Sequence, residues 1–175
     1  MKKIVVTLLL ATLLITSFVS CGKSENTNET TFTLDEFSIK LSNDYGMTPH
    51  VSFFVSYETA DRQAVLVTRN RIELVEEAAQ KTNLSLLEYA NLVIQINGKG
   101  SNPKSNDDFV YYTYTTYTDN THYTYLATVH KSENAYWLVQ FVCESDKYED
   151  NQDTYFRYAR SIHFNEDYEA ATTTV

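Results

Sequence analysis

The four histidines of this chain are the first residues to consider for metal binding or general-base catalysis. His122 and His130 fall on one predicted strand, eight residues apart, which separates them by roughly 27 Å at 3.4 Å per residue. His50 lies in a predicted loop, His163 follows the last predicted helix, and no H-E-x-x-H or H-x-H spacing occurs. The pattern predicts solvent-facing or locally hydrogen-bonded histidines, with no metal site and no cofactor.

The second of the two cysteines, Cys143, lies in an apolar context. It alternates with Trp137, Val139 and Phe141 along a predicted strand, so it is interpreted as a small buried hydrophobic residue and not as a nucleophile. The chain has no G-x-S-x-G, no S-x-x-K and no glycine-rich phosphate loop. We therefore expect no catalytic residues and no enzymatic activity.

Tyrosine is unusually abundant, with 14 residues, several of them crowded into the segment from 111 to 125. Amphipathic rings on an exposed sheet could bind a sugar, a peptide or a cell-wall polymer. The alternative is that tyrosine and threonine serve only as strand formers that pair across strands. The residues predicted for a possible ligand surface are Tyr112, Tyr114, Tyr117 and Tyr136.

The first cysteine, Cys21, follows an export-type leader. Lys2 and Lys3 precede an apolar run from Ile4 to Val19, which is the pattern of a secretory signal. Bulky Phe18 suits ordinary signal cleavage poorly, whereas the sequence FVSC resembles the bacterial lipobox, in which the cysteine is lipidated and becomes the new N-terminus. We predict a signal peptide over 1–20 and lipidation at Cys21, with two or more acyl chains giving stable anchoring.

Polar residues follow the cysteine, and the chain as a whole is acidic. Segment 21–31, rich in Ser, Asn, Thr and Glu, is predicted to be a flexible tether, and 166–175 a disordered tail. The formal net charge is −9, and loss of Lys2 and Lys3 with the leader would make it more negative still. Nucleic acid is therefore excluded as a partner. The expected contacts are the membrane, through the N-terminal lipid, and an unknown protein, wall or glycan partner.

The remaining residues, 32–165, contain no break in composition and are predicted to form one domain. Short apolar segments predict strands at 32–41, 51–57 and 64–68, and a short helix at 72–81. Ser85 and Glu88 have the spacing of a capping box, which predicts a helix over 85–97 that ends at Gly98.

Three alternating segments then predict an antiparallel meander over 109–117, 121–131 and 135–144. A closing helix is predicted to begin with Asp150 or Asn151 as its cap, and Trp137 is predicted to be buried beneath the helices. This order of elements predicts an α+β fold, an antiparallel β-sheet with helices packed on it.

The layout resembles the PsbP/Mog1-like family of α/β/α sandwich domains. The resemblance lies in SLLEYANLVIQING before FVYYTYTTY, YTYLATVHK and AYWLVQFVCES, with YFRYARSIHF at the end. It implies the fold and an accessory or binding role, and it carries no catalytic residues onto this chain. We therefore expect a non-enzymatic, lipid-anchored accessory or binding protein on the outer face of the cell membrane; the alternative is a solute- or glycan-binding lipoprotein that uses the tyrosine-rich sheet surface.

Overall fold

The computed structural model describes residues 28–165, so the predicted leader, Cys21 and the predicted tail lie outside the described residues. Ten strands, three α-helices and one 3₁₀ turn occur in this range. In chain order they are β1 Glu29–Leu34, β2 Phe37–Ser42, β3 Gly46–Thr48, β4 Val55–Glu58, β5 Ala64–Arg71, α1 Ile72–Ala79, α2 Leu86–Asn97, β6 Lys104–Ser105, β7 Val110–Thr118, β8 Thr121–Lys131, β9 Ala135–Glu144, the 3₁₀ turn Ser145–Lys147, α3 Tyr148–Arg160 and β10 His163–Phe164. None of the helices in the described range is long and apolar enough to cross a membrane.

The strands form two antiparallel sheets. The main sheet has seven strands in the order β3-β4-β5-β9-β8-β7-β6, and a smaller sheet has the order β1-β2-β10. The predicted meander is present as β7, β8 and β9, and β5 pairs with the other edge of β9. The predicted α+β fold, an antiparallel sheet with helices packed on it, is confirmed.

The two faces of the main sheet carry different covers. On one face, alternate β9 residues, among them Trp137 and Phe141, pack under the smaller sheet and α3. On the other face, Tyr136 and Leu138 pack under α1 and α2 with Tyr89 and Val93. The described range thus holds two clusters of buried residues, one on each face of the main sheet.

Trp137 is buried as predicted, but its cover is not helical. It has no exposed surface, and its ring lies 5.4 Å from that of Phe37 in β2 and 5.2 Å from that of Phe164 in β10. The indole Nε1 donates a hydrogen bond to Ser132 Oγ at 3.0 Å. The prediction that helices cover Trp137 is wrong because β2 and β10 form a second sheet over this half of the face.

The start of the domain also differs from the prediction. Residues 29–31, assigned to the tether, pair with β2, and the single predicted strand over 32–41 is a hairpin that turns at Asp35, where φ is 48°. Asp tolerates this left-handed conformation better than most residues do. The Glu29 carboxylate also lies 2.7 Å from Arg157 of α3, so the first strand is tied to the domain through its side chains as well.

The closing helix begins earlier than predicted. The chain passes from β9 through the 3₁₀ turn directly into α3, and Lys147 stands at the N-cap position without a side-chain capping bond. Asp150 and Asn151 therefore lie inside the first turn, and the prediction that one of them caps the helix is wrong. Asp150 still favours the helix, since an acidic side chain in the first turn interacts well with the helix dipole.

Candidate functional site

An open groove lies between α1, α2 and the main sheet. Its volume is about 720 Å³, within the range of roughly 300–1,000 Å³ that is common for small-molecule sites. Helix α1 contributes one wall with Leu74 and Val75, and α2 contributes the other with Val93 and Ile96. The floor comes from β5, β9, β8 and β7, so four strands and two helices position the site.

The groove is largely apolar, and apolar residues also flank its opening. Leu74 is 54% exposed and Ile96 is 70% exposed, although both belong to the walls. Leu66 and Leu138 lie on the floor between them. Exposing large apolar side chains on both sides of a concave site is unfavourable in water, and a bound apolar group would remove that cost.

Two of the four tyrosines predicted for a ligand surface line the groove. Tyr112 and Tyr114 stand on β7, and Tyr114 stacks on Tyr125 of β8 with ring centroids 4.4 Å apart and planes at 11°. Tyr125 was not among the predicted surface residues, although it shares a strand face with Tyr123 and Ala127. These rings form a continuous aromatic floor at the end of the groove.

The other two predicted tyrosines lie elsewhere. Tyr136 is fully buried because Tyr89 of α2 stacks on it at 4.6 Å, and its hydroxyl donates to the Leu84 carbonyl at 2.6 Å. Tyr117 is 61% exposed near the tip of the β7–β8 hairpin, beside His122, and does not line the groove. The structure therefore places only two of the four predicted tyrosines, Tyr112 and Tyr114, in the groove.

Polar groups collect at the tyrosine end of the groove. Tyr114 donates its hydroxyl hydrogen to Gln140 Oε1, and the Lys99 ammonium lies 5.7 Å from the centroid of the Tyr114 ring. Gln140 is only 8% exposed, and its Oε1 is occupied by this bond. Thr116 Oγ1 is buried without a hydrogen-bond partner within the described range. Such groups are normally satisfied, which indicates a place for water or a ligand acceptor.

The tyrosine hydroxyls of the groove are neutral at physiological pH. Burial raises the pKa of Tyr112 and Tyr114 above the usual range, and it raises the pKa of Tyr89 to about 12. Tyr89 accepts a hydrogen bond from Asn70 Nδ2 at 2.7 Å at the opposite end of the site. The groove therefore has polar side chains at two ends and an apolar middle.

Local sequence fixes α2 and the loop after it. The predicted capping box is present: Ser85 Oγ accepts from Glu88 N at 3.2 Å, and Ser85 N donates to Glu88 Oε2 at 2.9 Å. A hydrogen bond from Lys81 is the main cause that lowers the pKa of Glu88 to about 2, so the cap stays charged. The predicted end at Gly98 is also present, with φ at 66°.

Gly100 brings the loop close to the site. A Cβ at this position would lie 2.7 Å from Ile94 Cγ1 and 3.1 Å from Tyr112, closer than side-chain atoms pack. Its φ of 150° is likewise one that L-residues rarely adopt. Only glycine lets the chain pass over Tyr112 here, and this approach places Lys99 over Tyr114.

The remaining candidates for chemistry are dispersed. Within residues 28–165, no group of three His, Cys, Asp or Glu side chains could hold a metal ion. Burial raises the pKa of the Cys143 thiol, which keeps it protonated and weakly nucleophilic. His130 is buried between Phe109 and Phe164, and its Nε2 lies 3.0 Å from Thr128 Oγ1. Because Thr128 donates its own hydrogen to the Val139 carbonyl, His130 Nε2 must be the donor.

His130 should make the domain sensitive to acid. Burial lowers its pKa from 6.5 to about 3 in the folded protein. Below pH 6.5 His130 binds a proton in the unfolded chain but stays neutral in the folded chain. The stability that the neutral, buried His130 contributes is therefore complete above pH 6.5 and is lost as the pH falls toward 3. The expected slope reaches about 1.4 kcal/mol per pH unit.

Denaturant unfolding of wild type and of His130→Asn between pH 4 and pH 8 tests this prediction. The comparison removes the contribution of the carboxylates, which both proteins share. We expect the stability advantage of the wild type to shrink on acidification. Parallel pH profiles for the two proteins would contradict it.

Comparison with solved structures identifies chains of the same fold. Cyanobacterial PsbP (CyanoP) from Synechocystis sp. PCC 6803, a solution structure, superposes with a TM-score of 0.53 at 14% identity, over 85% of this chain and 99% of that chain. A crystal structure from Bacteroides thetaiotaomicron VPI-5482 superposes with a TM-score of 0.56 at 11% identity, over 81% of this chain and 50% of that one. This chain therefore spans about half the length of the second protein.

These identities establish the fold alone. The PsbP-like architecture suggested by the sequence is confirmed at that level. No family model matches the sequence, and no curated protein matches it.

Proposed function

We propose that this chain, with its PsbP-like fold, is a lipid-anchored extracytoplasmic accessory protein that binds a small, largely apolar ligand in the groove between α1, α2 and the main sheet. The observation that carries the proposal is the groove itself. It combines apolar walls with exposed apolar residues at its opening and polar groups at its ends. This composition is typical of sites that hold small organic molecules.

A wall glycan or an extended protein partner fits this site less well. Sugars bind to exposed aromatic faces, but Tyr114 and Tyr125 stack on each other and each ring gives up one face to its neighbour. The walls offer aliphatic side chains, mainly Leu74, Val75, Val93 and Ile96, where a sugar would need hydrogen-bond partners. The site therefore favours the solute-binding alternative over the glycan-binding one.

The proposed anchor is Cys21, which directly follows the predicted signal peptide. Lipidation there would hold the domain on the outer face of the cell membrane through the N-terminal lipid. The acidic chain would gain little from attraction to anionic headgroups, so covalent lipid is the more effective means of retention.

The proposed function is binding without catalysis. The His130–Thr128 pair is enclosed by aromatic rings, so no substrate reaches it. The Cys143 thiol lies on the opposite face of the sheet from the groove and has a raised pKa. The residues of the groove offer hydrogen-bond donors and apolar surface, which serve recognition.

The test uses the uncharged fluorescent probe N-phenyl-1-naphthylamine with residues 21–175 carrying Cys21→Ser, so that no attached lipid competes. We expect saturable binding with enhanced emission. Ala78→Trp should weaken it at least tenfold, a loss of about 1.4 kcal/mol, because Ala78 lines the groove and is exposed enough for the larger side chain to enter it.

Gln95→Trp is the matched control, since Gln95 is exposed on α2 and does not line the groove. It should bind the probe like the wild type. No saturable binding by the wild type, or equal binding by Ala78→Trp at unchanged circular dichroism, would refute the groove as the site.

A further inference from the structure

The charges around the groove differ from those of the chain as a whole. The chain carries a formal net charge of −9, yet none of the described residues that line the groove is Asp or Glu. Its charged lining residues are Arg69, Arg71 and Lys99. A cationic lining in an acidic protein indicates charge complementarity to a negatively charged group.

Only one of these cations lies at the tyrosine end of the groove. The Arg69 guanidinium is paired with Glu36, 3.2 Å from Nη2 to Oε2, and lies over Trp137 on the other face of the sheet. Arg71 stands at the far end of β5, five residues beyond the position that pairs with Gln140, which is roughly 17 Å along the strand. Lys99 lies beside Tyr114 and makes no ion pair within residues 28–165.

The polar side chains at the Tyr114 end of the groove, where Lys99 lies, include hydrogen-bond donors. The Tyr114 hydroxyl occupies the acceptor Oε1 of Gln140, which leaves Nε2 of that amide to donate. The Thr116 hydroxyl, buried and unpartnered among the described residues, can donate as well. A group with several acceptor oxygens and a negative charge would satisfy this set, whereas a cation or a pure hydrocarbon would leave it unsatisfied.

We infer that the ligand is an acidic amphiphile, with an apolar chain between α1 and α2 and a single carboxylate head group at Lys99 and Gln140. This inference rests on the proposed function and adds the polarity and the orientation of the ligand. The apolar chain covers Leu74 and Ile96 at the opening, and the head group lies over the tyrosine floor. Lys99 thereby selects among ligands that share the same chain.

The experiment compares dodecanoate, dodecanol and dodecylammonium as displacers of N-phenyl-1-naphthylamine, below their micelle concentrations. We expect dodecanoate to bind at least about threefold more tightly than dodecanol, and dodecylammonium to bind most weakly. The advantage of dodecanoate should shrink as salt is raised, since Lys99 is exposed to solvent.

Two variants test the role of Lys99. Lys99→Gln should remove the preference for dodecanoate over dodecanol, and Lys99→Glu should transfer the preference to dodecylammonium. Lys104→Gln is the control, because Lys104 is an exposed lysine that does not line the groove. It should bind all three compounds like the wild type.

The possible outcomes distinguish a failure of this inference from a failure of the proposal that the groove binds a small apolar ligand. Equal displacement by the carboxylate and the alcohol, or an unchanged preference in Lys99→Gln, would overturn the inference while probe binding still supports the groove. Probe binding that none of the three compounds displaces would also overturn it. Absence of probe binding would overturn both.

Discussion

Replacing Trp137 with alanine is expected to destabilise the domain by about 3 to 5 kcal/mol, as large-to-small changes of fully buried aromatic residues do. The side chain has no exposed surface and contacts the rings of Phe54, just before β4, and Phe164 in β10, each at 5.2 Å. Truncation would also leave Ser132 without the indole hydrogen bond. Chemical denaturation followed by circular dichroism measures the loss.

Tyr117→Ala is a suitable control because Tyr117 is 61% exposed. It should change the free energy of unfolding by less than about 1 kcal/mol, as surface substitutions usually do. Native tryptophan fluorescence gives an independent check, since Trp137 is the single tryptophan of the chain. A red-shifted, quencher-accessible spectrum in the native protein would contradict the packing described here.

Replacing Cys21 with serine is expected to abolish membrane retention. Each buried CH₂ of an acyl chain contributes about 0.8 kcal/mol to membrane binding, so losing all chains removes far more than the acidic surface could restore. Cell fractionation should show the Cys21→Ser protein in the soluble extracytoplasmic fraction and the wild type in the membrane fraction. Mass spectrometry of the wild type should show a diacylglyceryl adduct on Cys21 and no residue before it.

Cys143→Ala provides the matched cysteine control. Cys143 is buried in the core, so this variant should still incorporate labelled palmitate and stay in the membrane fraction. A Cys21→Ser protein of mature length that remained membrane-bound, or one that still took up label, would refute Cys21 as the anchor.

The elements predicted best are those with strong local signals. The capping box at Ser85 and Glu88 and the stop at Gly98 determine α2 through backbone hydrogen bonds within a few residues. The meander follows from alternation and short turns, including the turn at Asp119 and Asn120, both of which have positive φ. The hairpin at Asp35 was not predicted because its turn lacks the usual glycine. The start of α3 was not predicted because no side chain caps that end of the helix.

The site was predicted only in part, since it depends on which helix covers which strand. Alternation placed Tyr112 and Tyr114 on one face, and both line the groove. The same reasoning could not show that Tyr89 would cover Tyr136, because that contact joins residues 47 positions apart. Gln140 and Lys99 were not predicted as site residues because each belongs to the site through a contact with Tyr114. Neither residue is adjacent to Tyr114 in the sequence.

The central position of β9 has a consequence for how the chain folds. All its residues from Ala135 to Cys143 are buried, and the segment carries no charge. One edge of β9 pairs with nearby β8, but the other pairs with β5, where Arg71 meets Ala135 and Ala64 meets Val142 across 64 to 78 residues of chain. Such distant pairing is slow to form, and an uncovered apolar strand is prone to aggregate. We therefore expect the refolding yield to fall steeply as protein concentration rises. If the protein crosses the membrane unfolded, β9 must be kept from pairing with other chains until β5 pairs with its free edge.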